Sequence, residues 1–227
     1  MRHRRMGGAF LASALIPIEI EFFMASKNYH FVTRWRVRGG VKEVTDIISD
    51  SDALARWWPS VYLNVEKLEA GDANGVGTVI RLYTKGWLPY TLRWQFRVSA
   101  IHADGFSLIA SGDFEGRGIW TFKQVGEWVD ITYDWKINAE KPLLRYFSFL
   151  MKPIFSANHY WAMAKGEESL KLELARRRAR TEEERSLIPA PPLPTANLPV
   201  PLLLATIGGI AIMSGFGYLA IKLLSRT

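Results

Sequence analysis

Residues 129–138 read VDITYDWKIN, in which apolar or aromatic side chains alternate strictly with polar ones. This period of two predicts a β-strand with one buried face and one solvated face. The stretches 29–37 (YHFVTRWRV) and 90–99 (YTLRWQFRVS) show the same alternation. Three such strands indicate an antiparallel sheet that covers a core on one side only.

More strand-like runs occur between these stretches, at residues 61–68, 77–84, 106–111 and 118–125. Short turns rich in Gly, Asp and Asn separate them, and short connections make neighbouring strands antiparallel. We therefore predict a six-strand meander that ends at residue 139. Helical spacing after Gly39-Gly40, with Asp50-Ser51-Asp52 as a helix end and cap, predicts two short helices between the first strand and the meander.

A long helical pattern begins at Lys141-Pro142 and continues to about Arg180. Pro153 lies inside this pattern and predicts a kink or a split, because proline removes a helical hydrogen bond. The helix is the only long candidate to cover the apolar face of the sheet. We predict an α+β fold in which a curved, seven-stranded antiparallel sheet grips a C-terminal helix.

A second long apolar stretch lies near the C-terminus, where no charged side chain occurs between Ser186 and Ile221. Its 20 residues at 202–221 form a helix of about 30 Å, the thickness of a bilayer core. They predict a transmembrane helix over 202–224, and a single-pass membrane protein whose domain lies on the cytoplasmic side. The proline-rich residues 179–201 predict an extended linker between domain and membrane.

Residues 1–28 form an N-terminal extension with three open interpretations. The first is that translation begins at Met24, so that residues 1–23 are spurious. The second is an uncleaved anchor or interfacial segment, and the third is a signal peptide, because basic residues precede an apolar run that Glu19 and Glu21 interrupt.

The charge and composition exclude several classes of function. The net charge is +7, but the flanks 1–23 and 176–227 contribute +1 and +4, which leaves +2 for residues 24–175. A nearly neutral domain does not favour nucleic-acid binding. The chain has no cysteine, which excludes disulfides and thiolate chemistry. The four histidines lack metal-ligand spacing, and no phosphate-binding loop is present, so we expect neither a metal nor a cofactor.

Three motifs carry a family resemblance: Arg56-Trp57-Trp58-Pro59-Ser60, the Gly75-Val76-Gly77-Thr78 strand opening, and residues 116–122, GRGIWTF. Together with the order of elements, they resemble the START-related helix-grip superfamily, also called SRPBCC, in its polyketide cyclase/dehydrase and lipid-transport branch. The resemblance covers residues 29–178. It implies a hydrophobic cavity between sheet and helix that binds lipids, polyketides or sterols. The family has no universal catalytic residues, so the resemblance assigns none.

The chain has 9 Trp, 8 Tyr and 12 Phe, many of them on the predicted inner face. A packed core is the simpler interpretation of any one of them. A single helix does not easily fill a curved seven-stranded sheet, however, so collectively they favour a cavity. The predicted cavity residues are Trp35, Trp58, Tyr83, Trp94, Phe96, Trp120, Phe122, Tyr133, Trp135, Phe147 and Met151.

Three functions are consistent with these observations. The first is a membrane-tethered, non-catalytic module that binds a hydrophobic small molecule or lipid. The second is an enzyme of the polyketide cyclase, aromatase or dehydratase type, with His159, Tyr133 or Asp134 moving protons. The third is a regulatory interaction protein whose cavity is filled. A cavity lined by a buried ionisable group favours the enzyme, and an apolar lining with an opening favours the binding module.

Overall fold

The structure is a computed structural model, and it describes residues 28–139 and 148–196. The elements in chain order are β1 (Asn28–Arg38), α1 (Val41–Ile48), a 3-10 turn (Ser51–Ala53), α2 (Leu54–Trp57), β2 (Tyr62–Glu69), β3 (Val79–Lys85), β4 (Thr91–His102), β5 (Gly105–Gly112), β6 (Phe114–Val125), β7 (Trp128–Ala139), α3 (Ser148–Arg178) and α4 (Glu182–Ser186).

The seven strands form one antiparallel sheet in the order β1-β7-β6-β5-β4-β3-β2. Strands β2 to β7 are a meander, as the short connections predict. Strand β1 does not pair with β2. It pairs with β7, with Trp35 opposite Ile131, and the chain then crosses to the other edge of the sheet, where β2 lies. Helices α1 and α2 make that crossing, so the first and second strands form the two edges of the sheet.

The alternation in the sequence gives the faces of the sheet correctly. In β1 and β7 every second residue is buried: Tyr29, Phe31, Thr33, Trp35 and Val37 in one, and Val129, Ile131, Tyr133, Trp135 and Ile137 in the other. The predicted bounds of β7 match the structure, whereas β6 begins four residues before the predicted Gly118. Gly116 lies inside that strand, where a Cβ would overlap the Lys136 carbonyl oxygen. This glycine therefore permits close strand pairing and does not mark a loop.

Helix α3 packs across the inner face and continues through Pro153 as one element of 31 residues. The predicted split at Pro153 is wrong. Its buried residues recur at helical spacing, as Phe155, Met163, Leu170 and Leu174 show. The predicted helix start at residue 141 lies outside the described residues.

The C-terminal half of α3 is tied to α1 and α2 by buried and half-buried charges. Glu173 is 1% exposed and accepts hydrogen bonds from Arg56 at 2.8 and 3.0 Å and from Arg177 at 3.0 Å. Burial alone raises the pKa of Glu173, but the two guanidinium groups outweigh it and lower this pKa. One turn further, Arg178 donates to Glu43 of α1.

The prediction of a C-terminal transmembrane helix needs correction. Within residues 28–139 and 148–196, no helix has both the length and the apolar character needed to cross a membrane. Helix α3 is long enough but carries charged residues along much of its length. The predicted stretch 202–221 lies outside the described residues, as do residues 1–27 of the predicted N-terminal extension 1–28. The structure therefore supports the helix-grip part of the predicted fold class but not the transmembrane helix. It also does not support the predicted single-pass membrane location or the membrane as a partner.

The proline-rich segment is in contact with the domain, although the sequence predicted a free spacer. The Arg176 guanidinium donates to the Pro189 carbonyl oxygen. At the other end, Lys85 Nζ donates to the Thr195 carbonyl oxygen at 2.5 Å, and Thr195 Oγ1 donates to the Gly86 carbonyl oxygen at 3.1 Å. Prolines supply no amide hydrogen, and two of these three contacts use carbonyl groups of the segment as acceptors, whereas the third uses the Thr195 hydroxyl as a donor. We call residues 189–195 the strap.

Replacing Glu173 tests how much this ion-pair cluster holds α3 in place. We expect Glu173→Gln to lower the free energy of unfolding by roughly 1–3 kcal/mol, because two arginines lose a buried carboxylate partner. Denaturant unfolding measures the change. Glu168→Gln, which removes an exposed pair with Lys165, is the control and should cost under about 1 kcal/mol. Equal stability of the Glu173 variant and the wild type would contradict the assigned role.

Candidate ligand-binding site

A cavity of about 130 Å³ lies between the sheet and the N-terminal half of α3. Its walls come from β1, β3, β4 and β7, from the residues that follow α2, and from α3. The lining residues are Tyr29, Phe31, Trp58, Val61, Tyr62, Thr84, Lys85, Gly86, Tyr90, Leu92, Trp94, Tyr133, Trp135, Ile137, Phe155, Asn158, His159, Ala162 and Met163. The surface is predominantly aromatic, with a few polar atoms.

Trp58 lines the cavity, and its indole packs against α3. A Cβ on Gly166 would overlap a ring carbon of this indole, so the helix has a glycine where the ring lies against it. Glycine in a helix interior costs about 1 kcal/mol relative to alanine. The buried indole also packs edge-on against Tyr62, with ring centroids 5.1 Å apart. Trp58 therefore joins α3 to the sheet, and the cavity-lining residues of α3 lie on the N-terminal side of Gly166.

Four tyrosines bring hydroxyl groups to the cavity wall. Tyr29 Oη is buried without a hydrogen-bond partner, as is Trp58 Nε1. Burial raises the pKa of Tyr62 and of Tyr90. Burial also raises the pKa of Tyr133, and the nearby Tyr62 adds to the effect. All four side chains are neutral phenols at neutral pH, able to donate and to accept.

His159 lies in the cavity wall as a stacked, neutral imidazole. Its ring lies 4.0 Å from that of Phe31, at an interplanar angle of 17°. Its Nε2 is 3.4 Å from Thr33 Oγ1. Burial lowers the pKa of His159 to about 4, because the charged imidazolium is poorly solvated there. The histidine therefore contributes a hydrogen-bonding group without a charge at neutral pH.

The connection between β3 and β4 forms the rim of the cavity and is held from two sides. Asn158 of α3 accepts a hydrogen bond from the Leu88 amide at 3.2 Å. A Cβ on Gly86 would overlap the Asn158 carboxamide, so only glycine allows this approach. On the other side, the strap contacts Lys85 and Gly86. Asn158 and the strap therefore both hold residues 85–88 in place. A wider opening of the cavity on this side would require these residues to move.

The structure brings four of the predicted cavity residues together in the lining: Trp58, Trp94, Tyr133 and Trp135. Trp35 and Trp120 pack directly behind them, with the Trp120 ring stacked 4.1 Å from that of Tyr133. Phe122 packs further along the same face, beside Phe106. Phe96 also faces inward but lines a separate cavity of about 130 Å³ near α1.

Other predicted residues lie elsewhere. Tyr83 is on the outer face of the sheet, where the Arg93 guanidinium lies 5.2 Å from its ring centre. Asp134 is also on the outer face, paired with His30 at 3.1 Å, so it does not share the cavity with His159. Phe147 lies outside the described residues, and for Met151 the structure describes the backbone in α3 but not the side chain. Of the three proton-transfer candidates, only His159 and Tyr133 line the cavity.

Sequence reasoning missed several lining residues. Tyr29, Phe31 and Tyr90 were on the apolar side of alternating stretches, and that pattern was sufficient to find them. Thr84 was missed because Tyr83 beside it is more apolar, yet Thr84 faces inward and accepts a hydrogen bond from Trp94 Nε1 at 3.0 Å. Nothing in the local sequence indicates that Lys85 lines the cavity.

Comparison with known proteins gives matches in structure only. No protein-family model matches the chain, and no curated protein sequence does. A protein from Thermus thermophilus matches with TM-score 0.55 and 14% identity, over 66% of this chain and 100% of that chain. The Zhui aromatase/cyclase from a Streptomyces species has TM-score 0.53 and 16% identity, over 67% and 97%. A conserved protein from Geobacillus kaustophilus has TM-score 0.51 and 11% identity, over 65% and 96%.

The chain has the START-like helix-grip fold. At these identities the matches confirm the fold that the resemblance implied. In this helix-grip domain the gripped helix is α3, and the cavity occupies the position that the resemblance implied.

The buried His159 predicts a specific dependence of stability on pH. Its pKa of about 4 in the folded protein lies below the ordinary 6.5, so the unfolded chain takes up this proton first as the pH falls. We expect stability to decrease between pH 6.5 and about 4. In His159→Phe, which retains a ring beside Phe31, the melting temperature should fall less between about pH 7 and pH 4.5. The exposed His102→Gln is the control, and a pH profile of His159→Phe equal to that of the wild type would argue against this assignment.

The strap predicts a local effect on the rim. Thr195→Val keeps the side-chain shape but removes the hydrogen bond to Gly86, and one such bond contributes about 1 kcal/mol. We expect amide hydrogen exchange in residues 86–88 to accelerate about fivefold, the equivalent of that free energy. Ser186→Ala, a neighbouring hydroxyl that bonds only within α4, is the control. Unchanged exchange at residues 86–88 would mean that the strap does not hold the rim.

Proposed function

We propose that this helix-grip domain binds an uncharged hydrophobic small molecule in the cavity between the sheet and α3. The observation that carries the proposal is an aromatic cavity with unpartnered polar groups in its wall. The hydroxyls of Tyr62 and Tyr133 belong to lining residues, and among the described residues no hydrogen bond engages them. A bound ligand would supply hydrogen-bond partners for these two hydroxyls.

An enzyme of the cyclase, aromatase or dehydratase type is the second candidate. The observation that favours it is the placement of His159 and Tyr133 around one cavity. A general base works best when its pKa is near the working pH, and an imidazole with a pKa of about 4 is a weak base at neutral pH. Binding without catalysis therefore accounts better for the cavity. Turnover of a bound molecule that is lost in His159→Ala would favour the enzyme instead.

The proposal is tested by filling the cavity. Ala162 lines it, whereas Ala164, half a turn further along α3, is exposed. Native mass spectrometry of the full chain, followed by solvent extraction, identifies any molecule that co-purifies. We expect a ligand on the wild type and on Ala164→Phe, and at least a tenfold lower occupancy on Ala162→Phe, because the added ring occupies the binding volume.

Thermal melting checks that Ala162→Phe is folded, since adding a ring to a packed interior costs about 1–3 kcal/mol. Equal ligand occupancy in the two phenylalanine variants would place the ligand outside this cavity. A wild-type protein that carries no ligand and binds no hydrophobic compound would contradict the proposal.

A further inference from the structure

The volume of the cavity restricts the size of its occupant. Sites for drug-sized ligands measure about 300–1,000 Å³, whereas an apolar cavity of about 150 Å³ holds a single benzene ring. The present cavity, at about 130 Å³, belongs to the second class. A long acyl chain or a multi-ring molecule does not fit without a large displacement of the walls. Protein interiors resist such displacement because they are close-packed.

The walls restrict the shape of the occupant. The rings of Tyr133 and Trp135 are stacked at 5.4 Å, and Trp94 lies 5.8 Å from Trp135 on the neighbouring part of the sheet. Trp58 and Tyr62 add a further pair of packed rings to the lining. Flat aromatic surfaces pack best against another flat ring, in stacked or edge-to-face contact. The walls therefore favour a planar molecule over a flexible chain.

The polar atoms restrict the functional group. Among the described residues, no hydrogen bond engages the hydroxyl of Tyr62 or of Tyr133. Both tyrosines line this cavity. Gly118 leaves room for the Tyr133 side chain, since a Cβ at residue 118 would lie 2.7 Å from the Tyr133 hydroxyl oxygen. A neutral phenol that lacks a partner offers a hydrogen to an acceptor oxygen.

The charge of the lining restricts the charge of the occupant. The described lining residues include no carboxylate, and His159 is neutral at neutral pH. Among these same residues Lys85 is the one charged side chain, and its ammonium group donates to the Thr195 carbonyl oxygen. A cationic ligand would therefore find no counter-charge among these residues, and an anion would have to compete with the Thr195 carbonyl oxygen for the Lys85 ammonium group.

We infer that the occupant is a compact, planar, uncharged molecule of about one ring that carries an acceptor oxygen, such as a small aromatic ketone, held by the hydroxyls of Tyr62 and Tyr133. This inference rests on the proposed function and narrows it to one class of ligand. It separates this domain from a carrier of long lipid chains.

Four probes of known structure test the inference by isothermal titration calorimetry with the full chain. Acetophenone is a one-ring ketone, and α-methylstyrene has the same shape without the oxygen. Benzoate is an anion of similar size, and 1-decanol is a neutral chain with an oxygen. We expect acetophenone to bind about tenfold more tightly than α-methylstyrene, the effect of one hydrogen bond to a buried donor. Benzoate and 1-decanol should bind more weakly than acetophenone.

Conservative variants assign the oxygen to its donors. Tyr62→Phe and Tyr133→Phe retain the rings, and each should reduce the tenfold preference for the ketone while leaving the affinity for α-methylstyrene unchanged. Tyr83→Phe, which removes a hydroxyl from the outer face, is the matched control and should keep the preference. A preference that survives in both cavity variants would overturn the assignment of the two hydroxyls.

The remaining outcomes separate this inference from the proposed function. Tighter binding of 1-decanol or benzoate than of acetophenone would overturn the ligand class, although a binding domain would remain. Failure of all four probes to bind, in a protein that also carries no co-purified ligand, would overturn both.

Discussion

The position of α3 depends on the close contact between Gly166 and the Trp58 indole, because this indole also packs against Trp35 of β1 and Tyr62 of β2. Without a Cβ at residue 166, the helix approaches the sheet until its backbone meets the ring. On the C-terminal side of this contact, α3 is held by the Glu173 cluster and fits tightly against α1 and α2. On the N-terminal side, the cavity is lined by Phe155, Asn158, His159, Ala162 and Met163. One contact therefore divides α3 into a half that stabilises the fold and a half that borders the ligand site.

The sequence predicts the architecture well because alternation and turn chemistry are local. In β1 and β7 the apolar residues occupy every second position, and the structure buries those residues. The alternation identifies a face but not a position along it, which explains why Phe96 and Phe122 face inward yet do not line the main cavity. In β3, Tyr83 and Thr84 are adjacent, and hydrophobicity favours the wrong one. The contacts that decide this case come from the neighbouring strand β4, which the sequence of β3 does not contain.

Long-range contacts account for the other differences between sequence and structure. Lys85 lines the cavity, and its ammonium group donates to the Thr195 carbonyl oxygen of the strap, 110 residues later in the chain. The strap itself was predicted to be free, since its prolines remove donors, but its carbonyl groups remain available as acceptors. Asp134 illustrates the opposite case: it is next to Tyr133 in sequence, but strand geometry turns the two side chains to opposite faces of the sheet. Proximity in sequence was a poor guide to which groups share the cavity.

The strap also determines how a mechanical load would pass through this protein. Thr195 is hydrogen-bonded to Gly86 at the rim, so tension applied beyond Ala196 would reach the β3–β4 connection before it reached the core. Pulling in the direction away from the rim would strain two hydrogen bonds, to Lys85 and Gly86, whereas α3 is held by a cluster of ion pairs at its far end. The two hydrogen bonds at the rim would therefore be the first of the strap's contacts to bear that load.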